Sequence, residues 1–259
     1  MALKTQTRTN GGVVATLLLF SLQTSYSFLL APRLLKPGSS CLSSSKIQFS
    51  ADNIRFLGKG PNAIVREGAV LIAPKEEFHT FLRQSAVYVY AIGSDEYDET
   101  VIRGVILDHP TPFTMAEMAP GAVAGVLSEN LLWKGGMKGG DCAMMLHTVS
   151  SLGSNEIGTS GVYEGGLEKA MEFVDKGKHK SDQFKFFFNY CQFSPAELDE
   201  MLEGVDADGD AWMSVEVPSE VIFADWNRGD CWRYLRNSIR QRFGDNEGPT
   251  ETMSSDLGI

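Results

Sequence analysis

The chain has 259 residues, 43% of them hydrophobic, which is ample for one sizeable core and thin for two. Its formal net charge is −10, so long-range repulsion disfavours non-specific binding to nucleic acid phosphates. The four cysteines are widely spaced and lack a C-x-x-C pair, which argues against a disulfide framework and against a zinc site.

The first predicted element is a secretory signal peptide over residues 1–27. The basic residues Lys4 and Arg8 precede an apolar run over residues 13–20, and small residues follow up to Ser27. A basic start, a short apolar centre and a small-residue cleavage site are the three parts of such a signal. A membrane anchor is the alternative, but the run is shorter than the ~20 apolar residues that span a bilayer.

Residues 28–59 are predicted to be a transit-like segment. They are rich in serine and basic residues and contain one acidic residue, Asp52, a composition typical of transit peptides. A signal peptide followed by such a segment resembles the bipartite presequence of algae with secondary plastids, in which an aromatic residue such as Phe28 begins the transit part. The resemblance implies import into the plastid stroma, with a mature chain that begins near residues 45–60. Ordinary secretion is the alternative.

The remaining chain, residues 60–244, is predicted to be one domain of mixed strands and helices. Runs rich in β-branched and aromatic residues predict six strands. These strands cover residues 69–73, 86–92, 102–107, 143–149, 184–190 and 212–217. Loops rather than long helices separate several of them, so a regular βαβ alternation is absent. The predicted fold class is therefore α+β, with a mixed or largely antiparallel sheet.

Two helices are predicted from their start signals. Thr114 and Glu117 form a T-x-x-E capping box, and Ser194 stands three residues before Glu197 with Pro195 between them. In a capping box, the two side chains satisfy backbone amides that the first helical turn leaves without acceptors. We therefore expect helices to begin directly after Thr114 and Ser194.

A third helix is predicted over residues 229–243. Its apolar residues fall at helical spacing and are expected to face the core. These residues are Trp232, Leu235, Ile239 and Phe243. Arg233, Arg236 and Arg240 share another face, which is either solvated near the negative end of the helix dipole or a docking face for an acidic partner. Residues 245–259 are predicted to be a disordered acidic tail.

No catalytic residue, metal site or cofactor is predicted. The paired glycines do not form a G-x-G-x-x-G or Walker pattern, and the four histidines lack the spacing of a zinc ligand set. Asp206, Asp208 and Asp210 begin like a calcium loop. However, Ala211 and Val217 stand where an EF-hand needs glycine and glutamate, so a polar turn is predicted instead.

Several blocks together resemble the AlgH/YqgE family, in the order and at the spacing that the family shows. The blocks cover residues 68–74, 104–111, 132–136, 146–147, 161–166 and 188–198. This sequence departs from the family pattern in these blocks, with Asp108 for a usual asparagine, His109 for a basic residue, Asn189 for a glycine and Phe193 for a tryptophan. A shared ligand site at these positions would therefore be altered or lost.

The resemblance implies a large curved mixed β-sheet with flanking helices, and it implies no known reaction. The signature positions are also the candidate binding residues. They are Asp108, His109, Gly135, Gly136, His147 and Tyr190.

Three functions remain open from the sequence. The first is a non-enzymatic regulatory or protein-interaction module with a plastid protein partner and no transmembrane segment in the mature chain. The second is a small-molecule-binding domain or enzyme with a glycine-rich pocket around residues 104–111 and 132–147. The third is a transcriptional regulator, the label attached to bacterial relatives, although the acidic charge disfavours direct contact with nucleic acid.

Overall fold

A computed structural model describes residues 4–10, 13–19, 53–206 and 208–243 of the chain. The strands in this part are β1 (Lys4–Asn10), β2 (Val13–Leu19), β3 (Arg55–Lys59), β4 (Ala69–Ile72), β5 (Ala86–Ser94), β6 (Thr100–Ile106), β7 (Pro110–Thr114), β8 (Leu131–Lys134), β9 (Lys138–His147), β10 (Asn155–Glu156), β11 (Tyr163–Glu164), β12 (Phe184–Phe193) and β13 (Met213–Glu216). The helices are α1 (Met115–Met118), α2 (Leu167–Asp175), α3 (Pro195–Glu203), α4 (Ser219–Phe223) and α5 (Asp230–Phe243).

Eleven of the described strands, β3 to β13, form one open sheet. Its main path runs β10-β11-β9-β12-β6-β5-β4-β13-β3, with β8 beside β12 and β7 beside β8. The pairing of β8 with β12 is parallel, whereas the other pairings of this sheet are antiparallel. The α+β fold with a mixed, mostly antiparallel sheet is therefore confirmed, and each of the six predicted strands is present.

The centre of the sheet is buried on both faces, which explains its nearly continuous apolar strands. Along β4, Val70 and Ile72 pack into a core covered by α4 and α5, whereas Leu71 packs into a second core with α3. Successive side chains of a strand point to opposite faces, so adjacent apolar residues feed two different cores. A third core lies under α2 and the segment after α1.

The predicted helix starts are confirmed by their capping contacts. The backbone amide of Glu117 donates to Thr114 Oγ1 over 3.4 Å, and that of Glu197 donates to Ser194 Oγ over 3.2 Å. Helix α2 escaped prediction because its N-cap, Gly166, is a glycine in the left-handed region and supplies no side-chain cap.

The sheet begins earlier than residue 60, the boundary predicted from composition. Strand β3 pairs with β13, and Arg55 and Lys59 lie opposite Glu216 and Met213. The folded domain therefore includes the end of the segment assigned to the transit-like leader. The short run from Arg55 to Lys59 carries too few apolar residues to stand out as a strand in the sequence.

The targeting assignments stay predictions. The backbones of β1 and β2 form an antiparallel pair within the segment assigned to the signal peptide. Most of the transit-like segment and the tail at residues 245–259 lie outside the described residues. Within the described ranges, no helix combines the length and apolar character needed to cross a bilayer.

Candidate functional site

A groove of about 650 Å³ opens on the α3 side of the sheet. The groove is lined by segments that are distant from one another in the chain. They are the loop at residues 74–82, the bend at Met137 with the first residue of β9, Lys138, the end of β12 at residues 190–193, residues 197–206 of α3 and its following loop, and Trp212. Two of the sequence blocks that resemble the AlgH/YqgE family, residues 68–74 and 188–198, contribute to this lining.

The loop at residues 74–82 forms one wall and is pinned to the core at several points. The indole Nε1 of Trp232 and the guanidinium of Arg236 both donate to the carbonyl of Ala73, over 2.7 and 2.9 Å. Trp212 Nε1 donates to Glu77 Oε2 over 2.9 Å. Leu82 is buried at the far end of the loop. This wall is therefore held in place by contacts on both sides of Phe78.

The opposite wall is formed by the end of β12 and by α3. Tyr190 is half-buried, with its ring edge-on to Tyr90 at 6.2 Å between centroids and the Arg103 guanidinium 5.8 Å from its centre. The capping box of Ser194 and Glu197 fixes the angle at which α3 leaves the strand. Leu198 and Leu202 then bury the inner face of α3.

Apolar side chains of the groove are unusually exposed. Phe78 is 91% exposed, Met137 63% and Val205 57%, and each comes from a different lining segment. Single exposed apolar residues are ordinary, but clusters mark interaction surfaces. The loop at residues 74–82 is fixed by its contacts and holds Phe78 in solvent. The exposure of Phe78 therefore follows from the position of this wall.

Five carboxylates stand among the lining residues, against Lys138 as the single lysine or arginine there. Three of the five serve the fold: Glu77 binds Trp212, Glu197 caps α3, and Asp206 Oδ1 accepts backbone amides of the following turn. The other two, Glu76 and Glu200, are exposed and make no side-chain hydrogen bond or ion pair within the described residues. The groove is therefore apolar and aromatic inside and acidic at its edge.

Asp108 and His109, predicted as a pocket rim, lie in the interior. Asp108 is fully buried, and its Oδ2 accepts from the backbone amide of Trp232 in the first turn of α5 over 3.1 Å. Burial raises the pKa of this carboxyl to about 6. His109 packs edge-on against Phe81 with ring centroids 5.3 Å apart, and burial lowers its pKa to about 4. Neither side chain lines the groove.

Gly135 and Gly136 allow backbones to pass close together. A Cβ atom on Gly135 would lie 2.5 Å from the carbonyl oxygen of Asn189, and one on Gly136 would lie 1.8 Å from the carbonyl carbon of Tyr190. Such distances exclude any side chain without a backbone shift. The pair therefore lets the chain run from β8 to β9 against a bulge in β12, where Asn189 has a φ of 60°.

His147 is buried far along β9, with its ring stacked on Tyr163 at 5.6 Å. Its Nδ1 accepts from the backbone amide of Val149 over 3.1 Å, which leaves Nε2 to carry the proton toward Ser154 Oγ at 3.2 Å. Burial lowers the pKa of this imidazole to about 4. Of the six candidate binding residues, Tyr190 lines the groove and the other five do not.

The three arginines of α5 that were predicted to share a face do not act together. Arg236 reaches inward, where it binds the Ala73 carbonyl and the buried Asp210 carboxylate. Arg233 is exposed and pairs with Asp230 of its own first turn over 2.6 Å. Arg240 is exposed. Helical spacing identified a shared stripe, but it could not reveal the acidic partner of Arg236 from another part of the chain.

Lys185 is a buried basic residue that the sequence patterns did not predict. It stands in β12 and donates from Nζ to the carbonyls of Ile222 and Ala224 over 3.1 and 2.9 Å and, more weakly, to that of Leu107 over 3.4 Å. The same Nζ lies 3.7 Å from the ring centre of Trp133. Burial lowers its pKa to about 7. The sequence signal for this buried lysine was its place inside the aromatic run of the strand predicted over residues 184–190.

The described residues hold no cluster of three or more histidine, cysteine or acidic side chains that could bind a metal ion. Cys142, Cys191 and Cys231 are buried thiols. Burial raises the pKa of Cys191 to about 12, which is opposite to what a reactive thiolate requires. Of these buried titratable groups, Asp108, His147 and Lys185 contact backbone and core rather than the groove, whereas Cys191 lines the groove as a thiol.

The family model described as AlgH-like matches residues 70–243. The solution structure of the AlgH protein from Pseudomonas aeruginosa is similar at 15% sequence identity and a TM-score of 0.46, over 71% of this chain and 95% of that one. A crystal structure of a protein from Corynebacterium diphtheriae is similar at 13% identity and a TM-score of 0.45, over 69% and 88% of the two chains. None of the curated proteins matches this sequence.

Proposed function

This chain belongs to the AlgH-like family, and from that premise we propose that it is a non-enzymatic module of the plastid that binds a positively charged protein partner in the groove. The observation that carries the proposal is the exposure of Phe78 on a loop that is fixed by hydrogen bonds. Other exposed apolar side chains and an acidic rim lie beside it in the groove. Burial of such residues by a partner recovers about 25 cal/mol per Å² of apolar surface. The charge of the rim favours a cationic partner and repels phosphate backbones.

Acid–base or nucleophilic catalysis would require a reactive group that faces the groove. Lys185, His147 and Asp108 have strongly shifted pKa values, but they contact backbone atoms in the interior. Shifted pKa values also occur at structural positions. Their placement in the interior supports a binding role for the groove rather than a reaction, and so does the raised pKa of the Cys191 thiol, which lines the groove.

A comparison of two variants tests the proposal. Phe78→Asp adds a charge to the groove wall without removing a core contact, whereas Tyr97→Asp makes the same change at another exposed aromatic residue outside the groove. We expect tagged wild-type protein and the Tyr97 variant to recover the same near-stoichiometric partner from isolated plastids. Recovery with the Phe78 variant should fall about tenfold or more, because central apolar anchors dominate binding energy.

Equal recovery with both variants would contradict the proposal, and so would the absence of any near-stoichiometric partner. A small-molecule ligand is the second candidate, because about 650 Å³ lies within the usual range for such sites. Native mass spectrometry of the protein purified from plastids distinguishes the two. A defined small-molecule adduct that the Phe78 variant lacks would favour the second candidate.

A further inference from the structure

We infer that the partner binds through a segment in which lysine or arginine residues flank an apolar anchor, with Glu76 and Glu200 as the groove residues that bind the two cationic ends. The inference rests on the proposed function and specifies the chemistry of the partner. Glu76 belongs to the loop wall and Glu200 to α3, so the two carboxylates approach an occupant from different lining segments.

The two carboxylates are set apart from the other acids of the groove by their lack of partners. The carboxylates of Glu77, Glu197 and Asp206 already accept hydrogen bonds from their own chain. The pKa of Glu197 is lowered by its bonds to Ser194, so this group is committed to the cap of α3. Glu76 and Glu200 retain their full capacity to accept hydrogen bonds from an incoming cation.

The interior of the groove suits both the methylene stem of a basic side chain and the ring of an apolar one. Aromatic rings and two methionines face it, among them Phe78, Phe193, Met137 and Met201. Ring faces attract a lysine or arginine head, while its methylene stem packs on apolar surface. Methionine side chains are flexible and polarisable, and they adapt to varied apolar anchors. An acidic edge around an adaptable apolar interior therefore fits a basic amphipathic segment.

Charge alone would also attract any cationic peptide to a protein with a net charge of −10. The inference is narrower, because it requires two particular carboxylates and an apolar anchor together. A matched control is available in Glu96 and Glu129, which are exposed and lie outside the groove. The double variant E96Q/E129Q changes the net charge as much as E76Q/E200Q does.

The test uses the purified full-length chain and three labelled peptides, with binding followed by fluorescence anisotropy. The first peptide has lysines around leucine and phenylalanine, the second has glutamates in place of the lysines, and the third has serines in place of the apolar residues. We expect the first alone to bind appreciably. E76Q/E200Q should weaken its binding about tenfold or more, while E96Q/E129Q should change it less than about threefold.

Equal weakening by the two double variants would overturn the inference in favour of diffuse charge attraction, and so would equal binding of the serine peptide. Failure here is distinguishable from failure of the proposed function. If E76Q/E200Q keeps the plastid partner while Phe78→Asp loses it, the groove docks a protein of different chemistry. If Phe78→Asp also keeps the partner, the groove is not the docking surface.

Discussion

The two ends of strand β12 use polar groups in opposite ways. At its start, the ammonium of Lys185 donates to backbone carbonyls of three other residues and lies against the Trp133 ring. At its end, residues 190–193 face a groove whose edge carries the unpartnered carboxylates of Glu76 and Glu200. Polar groups that the fold already satisfies hold elements together, whereas polar groups without partners beside exposed apolar surface remain available for a ligand.

This difference changes the roles that we assign to the residues of the family signature. Asp108, Gly135 and His147 look like a binding site in sequence because they are polar or glycine residues within signature blocks. In the structure they anchor α5, permit close backbone packing and connect β9 to the following turn. The groove instead gathers residues from the ends of elements, including Phe78 and Tyr190.

Replacement of Lys185 should produce the largest effect at the buried end of β12. Lys185→Met leaves the carbonyls of Leu107 and Ile222 without this donor, at a cost of about 3 kcal/mol in unfolding free energy at pH 9. The folded pKa is lowered to about 7, so between pH 7 and 10.5 the unfolded chain binds more protons and wild-type stability rises with pH. The destabilisation should therefore shrink to no more than about 1 kcal/mol at pH 7.

Urea denaturation at the two pH values measures this difference. The exposed residue Lys75 supplies the control, and Lys75→Met should change stability by less than about 0.5 kcal/mol at both pH values. A loss for Lys185→Met that is the same at pH 7 and pH 9 would show that the interior holds the ammonium as readily as water does.

Protonation of His147 should weaken the same buried end, where its ring lies 5.7 Å from that of Phe184. Its folded pKa of about 4 is below the unfolded value of 6.5, so the unfolded state binds more protons between these values. Stability is therefore complete above pH 6.5 and is lost as pH falls toward 4. A charged imidazole would present a proton on Nδ1 to the donating amide of Val149.

The variant His147→Gln removes this titration while it keeps a neutral acceptor. Between pH 6.5 and 4.5, wild-type protein should lose about 2 kcal/mol more unfolding free energy than the variant. Asp108 and His109 titrate in both proteins, so their contributions cancel in the difference. Parallel pH profiles measured by chemical denaturation would contradict the assignment to His147.

The sequence predicted the strands and capped helices well because their signals are local. Apolar runs such as residues 69–73 and the box of Ser194 and Glu197 depend on neighbours within a few positions. The groove could not be predicted in this way. It depends on contacts between positions about 135 apart, such as Trp212 with Glu77. The exposure of Phe78 likewise depends on tertiary structure, since its neighbours in the sequence are those expected around a buried phenylalanine.

Asn189, which lies between the two ends of β12, shows directly how a departure from the family pattern fits the structure. The family resemblance expects glycine at Asn189, and the structure gives this residue a φ of 60° at the bulge that precedes Tyr190. Asparagine tolerates the left-handed region better than other residues with a side chain, which accounts for the exchange. The bulge is needed because the strand passes Gly135 and Gly136 so closely.

Substitutions at Asn189 should have the smallest effect on stability. Asn189→Val forces a β-branched residue into the left-handed region and should lower unfolding free energy by about 1–2 kcal/mol. Asn189→Gly, the matched control, should stay within about 0.5 kcal/mol of wild type. Because the bulge directs Tyr190 toward the groove, Asn189→Val should also weaken binding of the basic peptide, whereas the glycine variant should retain it. Equal stability of the two variants would mean that the backbone at the bulge relaxes freely, and the groove would then lack the rigid wall on which recognition depends.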